Sequence, residues 1–313
     1  MAQVVERLVR DQEAGGSSPL TPTNRRTFVR ETKVRFLFLF MPCDGRCRHE
    51  VIQVIDSIRA YYETHDEDGR LETRHGRVEY ETTMAYLERY LEPGMRIIDI
   101  GAGTGIYSHA LAGQGCHVDA VELVERNIAI FRTKTKPGEN VTIRQGDATD
   151  LSPFFSDTYD LTMLLGPMYH LFSETAKQKA LSEALRVTKP GGVVFVAYCV
   201  SDASILDYGF KKGHIFELIE KGMLETEHFK AFSRESDIFE LHRKEDIDAL
   251  MAPFPVTRLH YVATDMYTNH MRDAIDAMDE ASFALYLKYH LAICARPDMV
   301  GLTHHSLDIF RKG

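Results

Sequence analysis

The sequence predicts an α/β fold built on a parallel sheet with helices on both faces. Three observations predict it. Short apolar runs alternate with helical patterns from Met95 to Cys199. Strands buried on both faces read as unbroken apolar runs, and such strands separated by helices make a parallel sheet. A glycine-rich turn, "GAGTG" at Gly101–Gly105, joins the first run to the first helix. An acidic residue, Glu122, ends the second run about twenty residues later, where open α/β sheets place a ligand-binding carboxylate.

The elements follow in order. "VIQVIDSIRAYYETH" and "VEYETTMAYLERYL" carry apolar residues at helical spacing, with a polar loop, "HDEDGRLETRHGR", between them. Pro93-Gly94 ends the second helix. Strand 1 is "MRIIDIG", and a helix runs through "YSHALAGQ" to Gly115. Strand 2 is "CHVDAVEL", followed by the helix "VERNIAIFRTKT". Strand 3 is "VTIRQGD" and strand 4 "YDLTMLLG". The helix "SETAKQKALSEALRVT" stops at "KPGG", and "VVFVAYC" is strand 5. Residues 201–254 then read as a polar helical insertion with scattered phenylalanines, Phe210, Phe216, Phe229, Phe232 and Phe239. Strands return in "VTRLHYVAT" and "HHSLDIFRK", with the helices "NHMRDAIDAM" and "EASFALYLKYHLAI" between them. The organisation expected is a leader over 1–50, amino-terminal helices and core over 51–200, a helical lid over 201–254, and completion of the sheet over 255–313.

Composition bounds the function. The 313 residues are 44% hydrophobic, enough for a substantial core, and carry a net charge of −9. That balance disfavours a dedicated nucleic-acid binder, which shows a basic face. Five cysteines at irregular spacing make no disulfide framework, and Cys116, Cys199 and Cys294 stand in apolar contexts as small core residues. No run approaches the roughly 18 apolar residues of a membrane span; "FLFLFM" is far shorter. A cytoplasmic protein with no membrane partner is expected. The first residues, with "GGSSP" at their centre, read as a flexible leader. They also resemble the conceptual translation of a tRNA gene, which makes Met41 a candidate start. Cys43, Cys47 and His49 lack the second ligand pair of a zinc module, so no metal is expected.

The glycines discriminate among ligands. A dinucleotide fingerprint needs Gly or Ala at position 106, where Ile106 stands, and a P-loop needs a Gly-Lys-Ser/Thr that is absent. Glycines between strand and helix let a ligand approach the backbone. Glu122 suits a ribose diol, with each charge-assisted hydrogen bond contributing roughly 1.5–3 kcal/mol. Asp147 and the Ala148 backbone, at the end of strand 3, suit an adenine ring.

Taken together, "IIDIGAGTG", Glu122, "GDATDL", "YDLTMLLGPMYHL" and "RVTKPGGVVFVAY" resemble a class I S-adenosylmethionine-dependent methyltransferase over about residues 78–200. "SLDIFRK" resembles the family's last, antiparallel strand. The resemblance implies a Rossmann-like seven-stranded sheet of order 3-2-1-4-5-7-6, with the insertion between strands 5 and 6. It implies S-adenosyl-L-methionine as cofactor, its methionine portion on the loop formed by Asp99, Gly101, Ala102, Gly103 and Gly105. Glu122 and Leu123 would take the ribose, Asp147 and Ala148 the adenine, and Leu165 and Gly166 the side nearest the methyl group.

Methyl transfer from a sulfonium needs alignment first and a base only where the acceptor loses a proton. "LGPMYHL" lacks the Pro-Pro-Tyr of amino-N enzymes, the Pro-Cys of carbon-5 pyrimidine enzymes and the strand-end carboxylates of catechol-type enzymes. It resembles a metabolite-directed branch and names no acceptor. Tyr169 and His170 are the candidate catalytic residues. His304 and His305 are further candidates for the site, Tyr61 and Tyr62 for a lid, and Arg74 or Arg77 for the cofactor carboxylate. The expected activity is methylation of a small or medium metabolite. Alternatives are a protein or RNA acceptor, or a non-catalytic cofactor-binding regulator.

Overall fold

The computed structural model describes residues 57–63, 68–234 and 237–313. Met41, the leader and the Cys43, Cys47 and His49 group lie outside these residues. Residues 57–63 are helical. Helix α1 spans Arg74–Leu87 and begins inside the stretch expected to be loop, because the Thr73 side chain caps it by accepting from the Gly76 N–H. Strand β1 is Arg96–Ile100, α2 Ile106–Gly113, β2 His117–Glu122, α3 Glu125–Lys134, β3 Val141–Gln145 and β4 Tyr159–Leu164. Helix α4, Glu174–Val187, is capped by Ser173 and leads into β5, Thr188–Val200. "KPGG" therefore lies within the span of β5, as an irregularity where the register against β4 jumps from Tyr159↔Thr188 to Leu161↔Val193.

The sheet order is β3-β2-β1-β4-β5-β8-β7, with β7 at Val256–Ala263 and β8 at His305–Lys312. Strand β8 is antiparallel to both β5 and β7. This is the expected order with one addition. A two-residue strand, β6 at Leu241–His242, pairs parallel to Cys199–Val200 and shifts the numbering of the last two strands. Registers Ile100↔Val121, Glu122↔Gln145 and Ile100↔Leu164 bring the carboxyl ends of β1 to β4 to one edge.

The two-residue period of β5 divides the core. Val193, Phe195, Ala197 and Cys199 face Leu87 of α1 and Leu111 of α2, while Val194, Val196 and Tyr198 face Leu181 and Ala184 of α4. Each fully buried aliphatic or aromatic side chain contributes about 1.5–3 kcal/mol. Cys116, Cys199 and Cys294 are free and buried, as small core residues.

Beyond β5 the chain departs from expectation. Helix α5 (Ser201–Ser204) runs into a π-helical segment, Ile205–Lys211, then comes α6, Ile215–Glu220. Residues 221–234 and 237–240 are mostly irregular, and α7 spans Lys244–Met251. Helix α6 buries none of its residues. Phe210, Phe216, Phe229 and Phe232 are exposed, Phe216 by 72%, so they form neither a pocket lining nor a satellite core. Helical spacing alone does not sustain a helix that lacks an apolar face to pack. Between β7 and β8 lie α8, Arg272–Asp276, and α9, Glu280–Ile293. No helix among the described residues is long and apolar enough to cross a membrane.

Candidate active site

The edge of the sheet opens into a cavity with an empty volume of about 1150 Å³, part of it open to solvent. Its floor is the turn after β1. The Gly101 and Ala102 N–H groups donate to the Val121 carbonyl at 2.8 and 3.1 Å. Gly101, Gly103 and Gly105 all take left-handed φ, +80°, +55° and +90°, a conformation that costs an L side chain roughly 1–2 kcal/mol. The three differ in surroundings. A Cβ at Gly101 would sit 2.5 Å from Pro167 Cδ, and one at Gly105 2.5 Å from a Phe131 ring carbon. A Cβ at Gly103 meets nothing within 4 Å and would enter the cavity.

Two carboxyl groups sit beneath this turn. Glu122 Oε2 accepts from the Gly103 N–H at 2.8 Å, and Oε1 accepts from the Val124 N–H at 2.9 Å and from Asn127 Nδ2 at 3.4 Å. Burial still pushes its carboxyl above the ordinary value, against those bonds. Oε1 is thus fully used, and Oε2 keeps one lone-pair direction for a ligand hydroxyl. Asp99 is buried and accepts from Ser108 Oγ at 2.6 Å. Burial pushes its carboxyl up to about 7, the Ser108 bond opposing and the Glu122 charge adding to the rise. Asp147 Oδ1 accepts from the Thr149 N–H at 2.8 Å, shaping the turn after β3.

The opposite wall is the turn after β4. A 3₁₀ turn, Pro167–Tyr169, buries Met168 and aims Tyr169 and His170 at the cavity. His170 Nδ1 lies 2.8 Å from the Ile238 carbonyl and Nε2 lies 3.0 Å from the Tyr62 hydroxyl. A carbonyl only accepts, so Nδ1 carries the proton and Nε2 accepts from Tyr62. Burial lowers the His170 pKa, against the bond to Ile238, so the ring is neutral. Burial also holds the Tyr169 phenol well above its ordinary range.

A family profile described as a methyltransferase domain matches residues 97–192. A demethylmenaquinone methyltransferase from Clavibacter sepedonicus is 38% identical over 103 residues, 33% of this chain and 40% of that one. A ubiquinone biosynthesis O-methyltransferase from Pseudomonas fluorescens (strain Pf0-1) is 27% identical over 191 residues, 59% and 79% of the two chains. The chain thus spans under half the length of the first relative and most of the second. Among solved structures, the PH0226 protein from Pyrococcus horikoshii OT3 superposes with a TM-score of 0.51 at 16% identity, covering 81% of this chain and 99% of that one. That likeness concerns the fold. Residues 97–192 thus match a methyltransferase domain, of the class I S-adenosylmethionine-dependent kind that the sheet order also fits.

The residues lining this cavity fit the family's cofactor. Gly103 leaves space that any side chain would fill. Arg70 is the one lysine or arginine lining the cavity among the described residues, and it is engaged by Glu79 at 2.8 and 3.0 Å. A phosphate-bearing cofactor would find no further cation there.

Asp99, Gly101, Ala102, Gly103, Glu122, Leu123, Asp147, Ala148, Leu165, Gly166, Tyr169 and His170 all line this one cavity. Gly105 does not; it starts α2 and admits the Phe131 ring. Of the two tyrosines Tyr62 reaches the cavity, whereas Tyr61 packs edge-on against Phe239 at 5.6 Å. Arg74 bonds the Asp276 carbonyl and Glu280, and Arg77 pairs with Glu81, so neither reaches the cavity. Arg70 occupies the place expected of them. Three arginines within eight residues look alike in sequence, and only the turn before α1 selects one. His304 and His305 line a second cavity instead. Asn127 was also missed; its spacing of five from Glu122 was the available signal.

Proposed function

We propose that this chain transfers a methyl group from S-adenosylmethionine to a small metabolite bound at the Tyr62, Tyr169 and His170 end of the cavity. The observation that carries the reading is one cavity that holds both Gly103 with Glu122 and Tyr169 with His170. The relatives named for demethylmenaquinone and ubiquinone biosynthesis support a small acceptor. When bound, the cofactor supplies the methyl group and its sulfur takes the electron pair of the broken bond.

The protein's part is placement and proton transfer. Glu122 grips the ribose diol, and Asp147 with Ala148 takes the adenine. Gly103 lets the ligand lie on the backbone, and Arg70 stands where a carboxylate of the methionine portion would reach it. An acceptor O–H or N–H gives its proton to the Tyr62 oxygen as the Tyr62 proton passes to His170 Nε2. The Ile238 carbonyl stabilises the imidazolium so formed through Nδ1–H.

The test is calorimetry with S-adenosylhomocysteine, followed by a screen of metabolite extract with methyl-labelled cofactor. Saturable binding and a labelled small product are expected. A protein that ignores both S-adenosyl compounds yet takes up NADH overturns the reading.

A further inference from the structure

A second cavity, with an empty volume of about 850 Å³ partly open to solvent, adjoins the first at the carboxyl end of β5. Arg70 lines both cavities. Phe239 lines the second and packs on His170 of the first, ring centroids 5.6 Å apart. The two spaces therefore meet at the side chains of Arg70 and Phe239.

The chemistry of the second cavity is specific. Its acidic lining residue, Glu79, is taken up by two bonds from Arg70 and by His305 Nδ1 at 3.3 Å. His305 is in turn held by Asp265 Oδ2 at 3.0 Å. These charges balance internally and leave no net negative field. Arg272, exposed on the rim, makes no ion pair among the described residues; its Nε and Nη2 donate to Asn269 Oδ1 at 3.3 and 3.0 Å. A guanidinium has five N–H donors, so three remain. His304 Nδ1 is buried without a hydrogen-bond partner, and a polar atom left so costs about 1–3 kcal/mol. Burial lowers the His304 pKa to about 4, so its ring is neutral and one nitrogen can donate. Phe239 and Leu241 supply an apolar wall.

We propose that this second cavity extends the acceptor site at Tyr62, Tyr169 and His170, takes the far end of the acceptor, and so selects a small carboxylic acid. Arg272 and His304 Nδ1–H hold the carboxylate, while the apolar body lies on Phe239 and Leu241. A carboxylate answers both features at once: it meets the unpaired cation and gives the orphaned imidazole N–H an acceptor. The inference rests on the methyltransferase reading above, because it takes the neighbouring cavity for the cofactor's.

The experiment titrates the full chain, saturated with S-adenosylhomocysteine, with benzoate, phenylacetate and 3-phenylpropionate, and with their primary amides, by calorimetry. At least one acid should bind tenfold or more tighter than its amide. Arg272→Gln should erase that preference while homocysteine-cofactor affinity stays within twofold, and His304→Phe should weaken the acid alone. Arg272 is exposed, so its removal leaves the fold intact. Normal S-adenosylhomocysteine binding with no acid preference, or a preference that survives Arg272→Gln, overturns the acidic-acceptor assignment alone. Loss of S-adenosylhomocysteine binding by the unmodified chain overturns the methyltransferase reading and this inference with it.

Discussion

The Tyr62 hydroxyl lies 3.0 Å from His170 Nε2, while Nδ1 of the same ring lies 2.8 Å from the Ile238 carbonyl. Three separate segments thus define one tautomer at the cavity wall. In the proposed mechanism the pair is a two-step proton path, not two independent groups. Tyr62→Phe and His170→Ala should each lower kcat on the true acceptor by about 10²–10³-fold and leave cofactor affinity within threefold. The double variant should lose no more than the worse single one. Additive losses would show that the two residues do not act as a unit. Because His170 titrates below its ordinary value of 6.5, the ring stays a competent base to lower pH. The acid limb of the kcat profile should fall below pH 6.5, and His170→Ala should abolish it.

The glycine loop separates ligand space from packing. Gly103→Val should abolish detectable S-adenosylhomocysteine binding with circular dichroism unchanged, since its Cβ meets no protein atom within 4 Å. Gly101→Ala and Gly105→Ala should instead destabilise the fold by roughly 2–5 kcal/mol, combining left-handed strain with overpacking on Pro167 and Phe131. Urea midpoints check this ordering; equal midpoints for all three would contradict it.

Glu122 clamps the turn and, in the proposed function, also offers the ribose site. Glu122→Ala should weaken S-adenosylhomocysteine by tenfold or more, about 1.4 kcal/mol per decade. Glu122→Gln can keep one acceptor for the Gly103 N–H and should lose less. An unaltered affinity in Glu122→Ala would remove the residue from the site.

Asp99 should make cofactor binding depend on pH. Its carboxyl titrates near 7, raised by burial from 3.8. Between those values ionisation is easier in the unfolded chain, so Asp99 detracts from stability progressively as pH rises from about 4 to 7. A cationic ligand group nearby favours the charged form. S-adenosylmethionine should therefore release protons on binding at pH 6.5 and bind more tightly at pH 8 than at pH 6. Calorimetry in buffers of different ionisation enthalpy reads the release, and Asp99→Asn should eliminate it.

The chain Arg70–Glu79–His305–Asp265, buried at its two carboxylates, should carry stability. Burial pushes Glu79 up, but Arg70 and His305 outweigh it and hold the carboxyl well below its ordinary 4.5. Its contribution is present above that value and fades as pH falls. Burial lowers His305, but Glu79 and Asp265 outweigh it and keep the ring charged well above 6.5. That contribution is complete below 6.5 and fades as pH rises through the elevated value. His305→Gln should cost about 3–5 kcal/mol at pH 7, the cost of breaking a buried pair, read from urea unfolding. A loss under 1 kcal/mol would show that the network is not needed.

Particular residues show how far the sequence was legible. β1 to β5 could be read because each is an apolar run bounded by a turn signal, and Gly101, Gly103 and Glu122 because their spacing is local. The insertion could not, since Phe216 at a helical spacing says nothing about whether a partner surface exists; in the fold it is exposed. Arg74 and Arg77 were as eligible as Arg70 until the Thr73 cap set where α1 begins.

What the sequence alone determined was the order of strands and helices, the left-handed glycine turn and the carboxylate after it. These depend on backbone sterics and on apolar periodicity over a few residues. What only the tertiary structure decided was which arginine reaches the cavity, which glycine leaves room for a ligand, how His170 is protonated and why Asp99 titrates near neutrality. Those depend on neighbours through space, such as Phe131 against Gly105 or Tyr62 against His170, which sequence separation conceals.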